Sequence, residues 1–258
     1  MTIPFTKAHG AGNDFLLTWA DRAPQSDLAA VARAICDRHT GIGADGWILV
    51  KQDAIRLFNA DGGEAELSGN GTRCAAAMLV DAGLTGGQVN LMTGAGPKTL
   101  RLIERGERWF RFEMDMGQPE FREDEVCFPL LALDVTIVNV GNPQCAVFVK
   151  EFPHNWQELG RAIEAHPMFP KHTNVSFVRV VDRHSIEVRF YERGVGPTLS
   201  SGTGSTGAAV AAILRNEVVS PVRVITGAGD LMLRWDDSVY LTGPAEIVGT
   251  GEFYVTPA

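Results

Sequence analysis

The 258-residue chain carries 23 Lys and Arg against 31 Asp and Glu, a net charge of −8, and has no Lys/Arg-rich block. Nucleic acid and anionic membrane surfaces are therefore not expected partners. Hydrophobic residues make up 45% of the chain, yet no apolar run reaches the roughly 18 residues of a membrane span. The start, Met1-Thr2-Ile3-Pro4-Phe5-Thr6-Lys7, lacks the charged-then-apolar layout of a signal peptide, which points to the cytoplasm.

Taken along the chain, Ser26 to Arg38 has the alanine and leucine spacing of a helix, with Ser26 as its expected N-cap. Short apolar runs at 48–50 and 55–58 read as strands. Asn70 to Ala82 then reads as a helix that is apolar nearly all round, and such a helix is buried. Strands are expected at 89–92, 100–103 and 109–114. In the second half, strands are expected at 135–140, 145–149, 174–181, 186–191, 222–226, 231–235 and 239–242. Helices are expected over Trp156 to His166 and Thr203 to Arg215. A final strand, Glu252 to Val255, has no counterpart in the first half.

The two halves are copies. Ser68-Gly69-Asn70-Gly71-Thr72-Arg73-Cys74-Ala75-Ala76-Ala77 is matched 133 residues later by Ser201-Gly202-Thr203-Gly204-Ser205-Thr206-Gly207-Ala208-Ala209-Val210. At the same offset His39-Thr40 matches His172-Thr173, Ile55 to Phe58 matches Val188 to Tyr191, and Thr93 to Gly96 matches Thr226 to Gly229. Gly12-Asn13 and Gly141-Asn142 pair at an offset of 129, so a small insertion or deletion lies between. The expected fold is α+β: a duplicated, pseudo-symmetric pair of domains, each a curved and mainly antiparallel sheet around one central helix. The expected domains are 1–117 and 118–249, with the C-terminal strand at about 250–258 returning to the first. A homodimer is compatible with this reading.

Each Ser-Gly-x-Gly turn enters a helix, so it offers free backbone N–H groups and the positive end of the helix dipole. Gly69, Asn70, Gly202 and Thr203 stand at those helix starts. The two turns are expected to grip one ligand from both sides. Asn13, Asn59, Asn142, Asn174 and the pair Glu192-Arg193 lie at turn positions around them. Asparagine is a common turn former. Together with the helix starts these residues also suit a free amino acid. Arg193 and the N–H groups would take carboxylates, and Glu192 and the asparagine carbonyls would take an ammonium. Gly202-Thr203-Gly204-Ser205-Thr206-Gly207 fits the dinucleotide pattern, but no strand is expected immediately before it, so no nucleotide cofactor is expected. Cys36, Cys74, Cys127 and Cys145 form no Cys-x-x-Cys pair and read as buried or half-buried free thiols. The six histidines show no ligand cluster, so no metal is expected.

The runs Lys7 to Phe15, Gly41 to Asp45, Phe58 to Gly62, Gly69 to Cys74, Gly141-Asn142-Pro143, Glu192 to Gly196 and Leu241 to Ala245 together resemble the diaminopimelate epimerase family, in order and over nearly the whole chain. The resemblance implies two pseudo-symmetric α/β domains and cofactor-independent inversion at an α-carbon, in lysine or cell-wall precursor synthesis. It also implies a thiol at each helix start, one as base and one as acid. Ser68 and Ser201 occupy those positions here, and Gln144 stands where the family pattern has histidine. A thiol titrates near 8.5 and a serine hydroxyl far higher. Five units of extra basicity cost on the order of 7 kcal/mol. Ser68, Ser201 and Glu192 are the candidate catalytic residues, in a site with weakened or altered chemistry. The alternative is an amino-acid-binding member that does not turn over, or an isomerase or dehydratase of a related acid.

Overall fold

The computed structural model describes residues 2–25 and 27–255. The architecture is organised by its two apolar helices. Small Ala and Gly side chains let α2 (Gly69–Asp81) and α4 (Gly202–Leu214) pack closely, and both are buried over nearly their whole length. Each has 13 residues and starts after its serine, at the 133-residue offset.

The chain divides into two compact units, 1–114 with 243–258, and 115–242. In the first, β1 (Thr2–Gly10) and β2 (Asn13–Trp19) form a hairpin, and its Ala11-Gly12 turn has φ of 49° and 77°. Positive φ at both central residues gives the twist that a two-residue hairpin loop needs. After α1 (Leu28–Cys36), β3 (Gly46–Val50) pairs in parallel with β2, and β4 (Ile55–Asn59) runs antiparallel to β3. The short β5 (Glu64–Ala65) leads to α2. An antiparallel meander of β6 (Gln88–Thr93), β7 (Gly96–Arg105) and β8 (Trp109–Gly117) follows.

The second unit repeats the plan. The short strands β9 (Glu120–Phe121) and β10 (Phe128–Leu130) precede β11 (Leu133–Asn139), which is antiparallel to β12 (Pro143–Phe148). After α3 (Trp156–Glu164), β13 (Asn174–Asp182) pairs in parallel with β12, and β14 (Ser185–Glu192) runs antiparallel to β13. The three-residue β15 (Gly196–Thr198) precedes α4. β16 (Val222–Thr226), β17 (Gly229–Trp235) and the start of β18 (Val239–Tyr254) close the unit. The copies agree in register: the parallel bridge Ala54 to Met92 recurs as Glu187 to Ile225. They agree in turn chemistry too. Thr93 Oγ1 donates to the Gly96 carbonyl at 2.7 Å, and Thr226 Oγ1 to that of Gly229 at 2.5 Å.

Alternation along a strand sends side chains to opposite faces, and both units use this to pack two helices. In β3, Trp47 and Leu49 join the core under α1 with Val31, Ala32 and Ile35, while Ile48 lies against Gly71 of α2. In β13, Val175 and Phe177 join Ile163 of α3, while Ser176 Oγ donates to the Gly204 carbonyl of α4. A strand covered on both faces has no solvent side, which is why all five β3 residues are buried.

Several expectations need correcting. The expected cap Ser26 lies outside the described residues; α1 starts at Leu28, capped by Asp27, whose carboxylate accepts from Ala30 N. The sequence reading missed β1 and β2. Their residues are stabilised by pairing, β1 lying between β2 and the end of β18, and polar residues at the rim blur the alternation. The expected strands at 239–242 and 252–255 are one strand, β18, whose second part runs antiparallel to β1 from Glu246 to Tyr254. Cys127 is exposed rather than buried. Among the described residues, no helix is long and apolar enough to cross a membrane.

Candidate active site

In the first unit the site residues gather at the start of α2. Ser68 has an extended backbone, and its Oγ accepts from Gly71 N at 3.1 Å. Helix geometry leaves the Gly69 and Asn70 amides without an intrahelical acceptor. Asn70 is buried, and its amide donates to Asn13 Oδ1 at 3.2 Å. Asn13 in turn donates to Asp45 Oδ2 at 2.7 Å. Behind Asn70 lies Arg73, fully buried, which donates to Asn70 Oδ1 and to the Pro244 carbonyl at 3.0 Å. Desolvation pulls the Arg73 guanidinium down to about 10, so it remains cationic at neutral pH. Asn59 ends β4 and is bonded through its backbone, to Gly62 and Gly63.

An ion-pair cluster supports this corner. Arg38 donates to Asp14 at 2.7 Å and to Asp45 at 2.8 Å, and Lys7 lies 3.1 Å from Asp14. Burial alone would raise the Asp14 carboxyl, but hydrogen bonds from Arg38 and Lys7 hold it below its ordinary value. Asp14 is therefore a fixed anion rather than a proton acceptor.

The second unit has a serine N-cap of the same geometry, with Gly204 N donating to Ser201 Oγ at 3.1 Å. It adds a carboxylate. Ser201 Oγ donates to Glu192 Oε2 at 3.2 Å, and Thr198 Oγ1 donates to Glu192 Oε1 at 2.6 Å. Burial pushes the Glu192 carboxyl above its ordinary value, against the hydrogen bonds from Thr198 and Ser201, which favour the anion. A carboxyl raised in this way takes up a proton more readily than an ordinary carboxylate does.

Asn142 donates to Thr203 Oγ1 at 3.3 Å, which repeats the Asn13–Asn70 pair of the first unit. Gln144 is buried and donates to Asn142 Oδ1 at 2.7 Å, so it fixes which way the Asn142 amide faces. Asn174 donates to the Pro143 carbonyl at 3.1 Å and accepts from Arg193 N at 3.0 Å. Arg193 itself is exposed, with its guanidinium on the Lys171 carbonyl at 3.3 Å. The run Gly202 to Gly207 lies inside α4 rather than in a loop, and β15 ends four residues before it.

The sequence reading missed Thr198, Gln144 and Arg73 as supporting residues. Arg73 lies inside the quoted Gly69 to Cys74 run, but only tertiary contact shows that it turns inward. Cys74 and Cys145 are fully buried and pushed up to about 12 by desolvation, so neither supplies a thiolate.

The family model for diaminopimelate epimerase matches residues 5–122 and 136–248. The chain belongs to the diaminopimelate epimerase family. Relatives named diaminopimelate epimerase include one from Moorella thermoacetica, 39% identical, with 96% of this chain and 98% of the relative covered. Another, from Pelotomaculum thermopropionicum, is 37% identical over the same shares. Among solved structures, a phenazine biosynthesis protein of the PhzF family from Bacillus anthracis has the same fold, with a TM-score of 0.73 at 15% identity, covering 99% of this chain and 100% of that one.

Proposed function

We propose that this chain is a cofactor-independent epimerase of a free amino acid, taking LL-diaminopimelate to meso-diaminopimelate in lysine or cell-wall precursor synthesis in the cytoplasm. The observation that carries it is the serine-capped start of α4, where Ser201 Oγ and Glu192 share a hydrogen bond beside the free amides of Gly202 and Thr203. Amides at a helix start suit a substrate carboxylate, and a carboxylate with a raised pKa suits the transfer of its α-proton. Asn13, Asn59, Asn70, Asn142, Asn174 and Arg193 are assigned to substrate binding. Ser68 and Ser201 stand in for the two implied thiols.

A hydroxyl is a poor proton carrier compared with a thiol, so turnover should be slow and ligand binding ordinary. In D₂O, diaminopimelate should gain α-deuterium in the presence of the protein. The paired change Ser68→Cys, Ser201→Cys should raise turnover at least a hundredfold with little change in calorimetric affinity. If no diamino or simple amino acid exchanges its α-proton at high protein concentration, the epimerase reading fails. Calorimetric binding without exchange would then favour an amino-acid-binding protein.

A further inference from the structure

The two halves are not equivalent where a proton must move. At the 133-residue offset Ser201 corresponds to Ser68, and Glu192 corresponds to Asn59. Both serines cap a 13-residue helix through the same 3.1 Å hydrogen bond from a glycine amide. Asn59 and Glu192 are both last residues of their strands, β4 and β14. Ser201 therefore has a carboxylate acceptor at 3.2 Å, held by Thr198 at 2.6 Å. The corresponding residue in the first unit is an amide, which does not take up a proton near neutral pH. The Ser68 hydroxyl has one hydrogen bond among the described residues, from Gly71 N.

Other groups do not restore the balance. Asp14 and Asp45 are committed to Arg38, with Lys7 also on Asp14. Cys74 is sealed in α2. Gln144 is an amide as well, and its Nε2 is spent on Asn142.

Building on the epimerase reading above, we propose that this chain moves the α-proton with a single base, the Ser201–Glu192 pair, so that exchange with solvent outruns inversion. The Cα–H bond breaks and its electron pair stays on the substrate, delocalised into the carboxylate. The proton passes to Ser201 Oγ as the hydroxyl's own proton passes to Glu192. The resulting carboxylic acid exchanges with water, and the reverse transfer returns a solvent hydrogen to the face it left. Nothing is oxidised or reduced, and no co-reactant is consumed. Inversion needs a second donor on the other face, and a serine without a carboxylate partner supplies it slowly.

The test incubates LL- and meso-diaminopimelate separately with the intact protein in D₂O. NMR follows loss of the α-proton and chiral chromatography follows inversion. One isomer should lose its α-proton at least tenfold faster than it inverts, while the other exchanges slowly. Glu192→Gln should reduce that exchange at least a hundredfold. Asn59→Glu, which places a carboxylate at the corresponding position of the first unit, should raise the ratio of inversion to exchange. If both isomers invert as fast as they exchange, the single-base proposal is overturned and the epimerase reading stands. Exchange from neither isomer overturns both. Undiminished exchange in a folded Glu192→Gln protein overturns the assignment of the base.

Discussion

Glu192 is the residue on which chemistry and stability pull in opposite directions. Its hydrogen bonds from Ser201 and Thr198 favour the carboxylate, yet burial outweighs them and raises its pKa. In the pH range above the ordinary carboxylate value, the folded state thus binds more protons at this site than the unfolded state does. Stability from this residue is present at low pH and is lost as pH rises through the folded value. Glu192→Gln keeps the shape and removes the titration. The variant should melt above the parent protein at pH 7, and the difference should shrink towards pH 4. Paired thermal melts at the two pH values check this. A pH-independent difference would mean that the carboxyl is not desolvated. The expected gain in stability with loss of proton exchange is the trade commonly found at functional sites. Glu192 was visible in sequence because it stands beside the repeated motif. Its partner Thr198 was not, because the β14–β15 hairpin that brings the two together spans residues with no strand signal.

The element that places each serine is its helix, and the helix can approach its sheet only because a glycine stands three residues after the cap. A Cβ on Gly204 would lie 2.7 Å from Phe190 Cδ1, and one on Gly71 would lie 2.9 Å from Ile48 Cδ1. Phe190 is a fully buried ring, whereas the contact on Gly71 is the end of a flexible side chain. Alanine gains about 1 kcal/mol of helix propensity over glycine, but overpacking a core costs about 1–3 kcal/mol. Gly204→Ala should therefore be net destabilising by about 1–2 kcal/mol and Gly71→Ala closer to neutral. Denaturant titration of both variants decides it; equal stabilities would mean that the Phe190 ring yields freely. The same substitution should weaken ligand binding at α4, since it displaces the cap that orients Ser201. The two buried helices were legible in sequence to within about one residue at each end, since a run of alanines flanked by a serine cap specifies both type and burial.

Across the whole molecule, the C-terminal strand is the segment that completes the first unit. From Glu246 to Tyr254, β18 pairs with β1, and the Pro244 carbonyl accepts from the buried Arg73. Ending the chain after Gly243 would remove the pairing and that acceptor together. A buried donor left without its partner costs about 1–3 kcal/mol, and β1 would lose one of its two neighbours. Hydrogen exchange on the shortened chain should show lost protection in β1, β2 and the start of α2, with β11 to β14 still protected. Uniform loss across both units would mean that they unfold as one.

The sequence by itself determined the duplication, the fold class, the two buried helices and their serine caps, because these rest on periodicity, composition and local turn chemistry carried in adjacent residues. It also set Glu192 against Asn59 at one position of the repeat. Only the tertiary structure decided which polar groups act on one another. The chain Arg73–Asn70–Asn13–Asp45 draws on α2, β2 and the segment before β3, and the Ser201–Glu192–Thr198 group draws on α4 and two strands. The physical reason is range. Caps and turns are satisfied within four residues of themselves, whereas a buried side chain takes its partner from whatever strand or helix the fold packs beside it.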